Sequence, residues 1–202
     1  AQQPASYKHA QTITCKKMGN ITQTCTPTIL KASVICVGLD NSGKSTILSH
    51  LSPSPYSQIL PTSGMQLETF QKFHVDWKVW DCSGTGPSRT LWPLFYQHVT
   101  GIVFVVDASD RERVSCVKDE LDAVLLSPDF RRRKMSLLIL FNKMDLDDEI
   151  ATVAELETVL GLSQLKSAHR NVDMHAQACS GIKGSGIEEG FRWLADSLHT
   201  IA

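Results

Sequence analysis

The segment Gly38-Leu39-Asp40-Asn41-Ser42-Gly43-Lys44-Ser45 fits the pattern G-x-x-x-x-G-K-[ST]. Its glycines would let backbone N–H groups approach phosphate oxygens closely, and the start of a following helix would add a partial positive charge. Lys44 would reach the outer phosphates and Ser45 would ligate Mg²⁺, with Asp40, Asn41, Ser42, Gly43 and Thr46 completing the cradle. Downstream, Asp81-Cys82-Ser83-Gly84 offers an acid that can hold Mg²⁺ through water and a glycine N–H that can face a γ-phosphate. Asn142-Lys143-Met144-Asp145 suits guanine. A carboxylate at Asp145 accepts from the N1–H and the exocyclic amine together, which adenine cannot offer. Asn142 can fix N7 and the neighbouring loops, while the Lys143 stem covers the base. Two weaker signals complete the set. A backbone N–H in Ser180-Gly181 could meet the guanine O6, and Thr62, between Pro61 and Ser63, could sense Mg²⁺ and γ-phosphate and order its loop only in the triphosphate state. Taken singly, D-x-x-G is an ordinary turn and N-K-x-D an exposed charged loop; their order along the chain carries the signal.

These residues need elements to hold them. The apolar run Ala32–Val37 reads as a buried strand and Lys44–Leu51 has helical spacing, so the first motif lies between a strand and a helix. Leu67–Phe70 and Val75–Trp80 alternate and read as a hairpin joined through Gln71 and Lys72. Gly101–Val106 and Ser136–Phe141 are further buried strands, the second ending just before Asn142. A helix over Asp110–Leu126 with an acidic first turn, a short one at Glu155–Leu160, a last strand at Met174–Ala178 and a helix over Ile187–Ile201 follow. In the last helix Ile187, Phe191, Leu194 and Leu198 share one face. Alternating strands and helices predict an α/β sheet, six-stranded and mostly parallel, with one antiparallel edge strand and helices on both faces.

Composition narrows the class. The chain has 202 residues, 42% hydrophobic and 20% charged, which excludes disordered, collagen-like and coiled-coil proteins. No apolar run reaches about 18 residues, so no transmembrane helix is expected. A net charge of −1 suggests no nucleic-acid partner. Residues 1–31 differ: they carry Lys8, Lys16, Lys17 and Lys31 and no acid. They read as a basic extension for an acidic partner or lipid headgroups, or as the remnant of an organelle-targeting leader, ahead of a domain at 32–202. The six cysteines form no C-x-x-C pair, which argues against zinc and for a reducing compartment.

From residue 32 onward the sequence resembles the Arf-like small GTPases. The marks are the Gly38–Thr46 loop, Pro61-Thr62, Trp80-Asp81, Leu91-Trp92, Asn142–Leu146 and Glu189–Leu194. Asp40, where Ras-like members usually have glycine, points to the Arf branch. Asp81-Cys82-Ser83-Gly84 and Ile182–Gly186 are similar to the branch that recruits the Bardet–Biedl ciliary coat. The resemblance implies a P-loop NTPase fold of the small-GTPase kind and a Mg²⁺-dependent GTP/GDP switch. It also implies an effector surface at Met65, Trp80 and Phe95, and a cytoplasmic or ciliary location, with a mitochondrial one as the alternative.

Three departures qualify this. The family's water-orienting glutamine is replaced by Thr85, which is too short to span water and phosphate, so hydrolysis is expected to be slow or lost. Pro87 and Pro93 should stiffen a loop that ought to remodel. Ala1-Gln2-Gln3-Pro4 offers no acceptor glycine and the internal Met18–Gln23 has Gln where Ser or Thr is wanted, so no lipid anchor is evident and membrane contact stays open. Two readings follow: a cycling switch that recruits effectors, or a non-cycling structural subunit of a large assembly that kept the fold. In either, effector or assembly proteins would meet the switch loops and the extension. A P-loop kinase is a distant third, since nothing resembles a substrate lid.

Overall fold

The computed structural model describes residues 29–52, 64–146 and 150–201. The expected extension, apart from its last residues, and the Pro61-Thr62 loop lie outside them. In chain order the elements are β1 (Leu30–Val37), α1 (Lys44–Leu51), β2 (Met65–Lys72), β3 (Val75–Cys82), α2 (Gly86–Arg89), α3 (Pro93–Tyr96) and β4 (Gly101–Asp107). A 3₁₀ turn, Arg111–Arg113, leads into α4 (Val114–Leu126), followed by α5 (Pro128–Arg132), β5 (Met135–Asn142), α6 (Val153–Leu160), α7 (Leu162–Ala168), β6 (Val172–Ala178) and α8 (Ile187–Ile201).

The strands form one six-stranded sheet in the order β2-β3-β1-β4-β5-β6, with β2 antiparallel to β3 and every other pairing parallel. The sequence explains this arrangement. All of β4 and β5 are buried, because central parallel strands covered on both faces must be apolar throughout. Edge strand β2 keeps mostly exposed or half-buried residues. Side chains alternating along β1 divide the core: Val34 and Cys36 face a layer with Ile47, Leu48, Phe191, Leu194 and Leu198 of α1 and α8. Ile35 and Val37 face a layer with Leu121 and Leu125 of α4, Phe130 and Leu156. Gly190 brings α8 so close to β5 that a Cβ there would sit 3.0 Å from Leu140.

The expected helix over 110–126 starts later than its pattern suggested. Asp110 stands outside it, and its carboxylate accepts from the Arg113 N–H at 3.2 Å, so the first turn is 3₁₀. The β2–β3 hairpin turns through Phe73 and His74, both in the left-handed region (φ 55° and 58°), rather than through Gln71 and Lys72. Its tip is clasped to α8 by Lys72–Glu188 at 2.5 Å and by Arg192 stacked over the Phe73 ring at 5.2 Å. The short helices α2, α3, α5 and α7 were not expected. Proline stands in the first turn of α2, α3 and α5, where its fixed φ and missing N–H suit a helix start. Pro87 and Pro93 therefore begin helical turns in this segment.

Candidate functional site

Four loops meet at the carboxyl ends of the parallel strands, where chain direction across the sheet reverses about β1. The Gly38–Lys44 loop follows β1, Ser83–Thr85 follows β3, Lys143–Asp145 follows β5 and Cys179–Gly181 follows β6. Gly43 caps α1 at φ 90°, and a side chain there would collide with Asn142 Nδ2 at 2.2 Å. The loop thus turns directly into a helix, whose N-terminal end suits an anion.

Lys44, the first residue of that helix, is 6% exposed. Its ammonium donates to the carbonyls of Gly38 at 3.1 Å and Leu39 at 2.8 Å, which hold it across the concave side of the loop. Burial pulls its pKa down, and Asp81 and Asp40 are among the charges that oppose the shift. Ser45 donates to Asp81 Oδ2 at 2.5 Å, so the two oxygen donors expected for Mg²⁺ stand side by side beside the lysine. Among the described residues no cluster of three or more His, Cys, Asp or Glu could hold a metal. A hydroxyl and a carboxylate as protein donors, with phosphate oxygens and water supplying the rest, is the way Mg²⁺ is usually held beside a nucleotide. Thr62, the third expected ligand, lies outside the described residues. Buried Cys36 and Cys82 flank this region. Desolvation pushes the Cys36 thiol well up and that of Cys82 to about 12, so both pack as neutral hydrophobes.

Gly84 closes over the loop: a Cβ there would lie 2.3 Å from Asp40 N, Gly38 O and Leu39 C. Thr85 follows it, exposed, with its hydroxyl bonded to Ser88 Oγ at 2.9 Å and near Ser83 Oγ at 3.3 Å. Its side chain is thus engaged within its own turn. Arg89 of α2 donates to Gly84 O at 3.1 Å and pairs with Glu120 of α4 at 2.6 Å, fastening the turn to the body of the molecule.

On the base side, Asn142 is 2% exposed and joins three loops. Its Nδ2 donates to Ser42 O at 2.7 Å, and its Oδ1 accepts from Gly181 N at 2.7 Å. Of the Ser180-Gly181 backbone, where one N–H was expected to meet guanine O6, the Gly181 N–H fastens its loop to Asn142 and the Ser180 N–H donates to Ser185 O at 3.0 Å. His50 Nε2 lies 2.7 Å from Gly181 O and secures the same loop from α1. Lys143, at φ 68°, pairs with Asp107 at the end of β4 at 2.6 Å, which fixes its stem alongside the loop. The Ser180 hydroxyl holds the Asp145 carboxyl below the usual aspartate range, so the carboxylate is ionised near neutrality. Asn41 takes a left-handed conformation (φ 61°), and Ser42 Oγ is buried without a hydrogen-bond partner.

The three residues expected to meet partners sit on one side of the sheet. Trp80 of β3 and Phe95 of α3 pack with ring centroids 5.4 Å apart, and Met65 of β2 joins the same half-buried margin of the core. Leu67, directly opposite Trp80 in the strand register, adds an exposed apolar neighbour that the sequence reading missed. Also missed were Arg89, Asp107, Arg113 and Glu120. Each acts through a partner far away in the sequence, and only the acid ending the apolar run of β4 carried a local sign.

The ADP-ribosylation factor family matches residues 18–198. ADP-ribosylation factor-like protein 6 of Danio rerio is 38% identical over 173 residues, covering 85% of this chain and 90% of that one. ADP-ribosylation factor K of Dictyostelium discoideum is 36% identical over 166 residues, covering 82% and 85%. Among solved structures, the Arl6 BBS3 small GTPase from Trypanosoma brucei, with the bound nucleotide analogue GppNp, superposes with a TM-score of 0.78 at 36% identity. It covers 85% of this chain and 99% of its own. With a phosphate loop, a Ser–Asp pair and a base loop fastened together in the family's order, the chain belongs to the ADP-ribosylation factor family of small GTPases.

Proposed function

We propose that the chain binds GTP and GDP with Mg²⁺ as an Arf-like switch whose hydrolysis is slow or lost. The observation that carries nucleotide binding is Asn142, which fastens the phosphate loop to both base loops. Magnesium, when bound, neutralises phosphate charge next to Ser45 and Asp81. Lys44 and the loop N–H groups hold the phosphates, and Asp145 selects guanine. Binding of fluorescent GDP and ADP by the full chain tests this: strong preference for GDP supports it, and equal affinities overturn it.

Thr85 favours a second reading, a GTPase-fold subunit that stays in one nucleotide state. Water-orienting catalysis depends on a long side chain aimed at the phosphate, and Thr85 instead bonds within its own turn while Arg89 pins that turn to α4. Effector or assembly proteins would dock on the face at Met65, Trp80 and Phe95 in either reading. Exchange of bound nucleotide separates the two: ready release and reloading supports the switch, whereas retention of a single nucleotide supports the subunit.

A further inference from the structure

We propose that Arg113 sets the preference between triphosphate and diphosphate by holding the Asp40 carboxylate away from the outermost phosphate. The inference rests on the nucleotide-binding reading above. Asp40 is an acid in the middle of a loop built to receive a polyanion. Its place is fixed by its neighbours. The Lys44 ammonium, which in such loops serves the outer phosphates, is held on the carbonyls of Gly38 and Leu39, the two residues before Asp40. Gly84, the other outer-phosphate group, approaches so closely that a Cβ on it would stand 2.3 Å from Asp40 N. Asp40 therefore lies at the end of the cradle where a third phosphate differs from a second.

Arg113 occupies the outer side of that position. It pairs with Asp40 Oδ1 at 2.9 Å and reaches Asp40 O at 3.3 Å, so the fork grips both side chain and backbone. The guanidinium is itself set by Asp110, paired at 2.6 Å, while the Arg113 N–H donates to the same carboxylate at 3.2 Å. The 3₁₀ turn ahead of α4 thus presents a pre-oriented cation to the phosphate loop. Removing it would leave Asp40 charged, without its guanidinium partner and free to turn toward the phosphates. A carboxylate there repels the added charge of a third phosphate more than it does a diphosphate, whose charge ends farther away. Both Arg113 and Asp40 are partly exposed, so the effect is moderate and sensitive to salt.

The test uses the full chain with Mg²⁺, measuring affinity for GDP and for the analogue GppNp. Arg113→Ala should lower the GppNp-to-GDP affinity ratio by roughly three- to tenfold at low ionic strength, less at high. Adding Asp40→Asn to that variant should restore the ratio, because the repelling charge is gone. Parallel loss of both affinities, or no restoration by Asp40→Asn, would overturn the proposal and leave Arg113 a scaffold residue. Should Arg113→Ala unfold, Arg113→Met keeps the apolar stem, and the same ratio decides. A wild-type chain that binds neither nucleotide would instead sink the nucleotide-binding reading itself.

Discussion

Asp145 illustrates how little of a residue's role lies in the residue itself. Its carboxyl is held low by Ser180, which arrives from another loop. Asp145→Asn removes the charge-assisted pairing with guanine, and GDP affinity should fall about tenfold or more, read by fluorescent-nucleotide titration. The lowered pKa also sets a sign. In the nucleotide-free protein, the stability Asp145 contributes is fully present above the ordinary aspartate value of about 3.9 and is lost as pH falls through its lower folded value. Melting curves of wild type and Asp145→Asn should therefore converge as the solution is acidified toward that window. At Ser42 the buried, unbonded hydroxyl costs desolvation without return. Ser42→Ala should leave the nucleotide-free fold as stable or up to about 1 kcal/mol more stable by urea denaturation. The motif residues were legible because phosphate and guanine dictate residue types at short spacing. Arg113 and Arg89 were not, since an arginine shows its partner only once the chain has folded.

Two elements carry the switch region, and both depart from what periodicity suggests. The segment from Thr85 to Tyr96 folds as α2 and α3, turns too short for a 3.6-residue pattern to register. If only the missing side chain limits hydrolysis, Thr85→Gln should raise the single-turnover rate above the wild-type value. No gain would mean that the Arg89–Glu120 fastening keeps the turn from reaching the phosphate. The hairpin tip holds two bulky residues in a conformation that costs about 1–2 kcal/mol for residues with a Cβ. His74→Gly should relieve part of that, stabilising the protein by about 0.5–1 kcal/mol after glycine's own entropy cost. Phe73 is the less suitable target, because its ring supports Arg192.

At the scale of the molecule, the mostly parallel sheet, its antiparallel edge strand and the helices on both faces were foreshadowed by strand texture. Uniformly apolar β4 and β5 could only be central, and the alternating hairpin could only lie at an edge. Leu194 tests the layer beneath α8. Fully buried, it should cost about 2–5 kcal/mol on change to Ala, lowering the melting temperature while the site geometry at the opposite ends of the strands survives. The junction of the loops was harder to foresee. Asn142 was expected to fix neighbouring loops, but that one of them holds Ser42, a hundred positions earlier, emerges only from parallel pairing of β1, β4 and β5. That junction has a consequence in time. Since one amide fastens the ends of three strands, phosphate and base contacts cannot loosen independently, and departure of a bound nucleotide must wait for a concerted opening. Residence should then be long and accelerated by any partner that pries at a single point, while Asn142→Ala should let base and phosphate leave by separate small steps, shortening residence more than it weakens either contact.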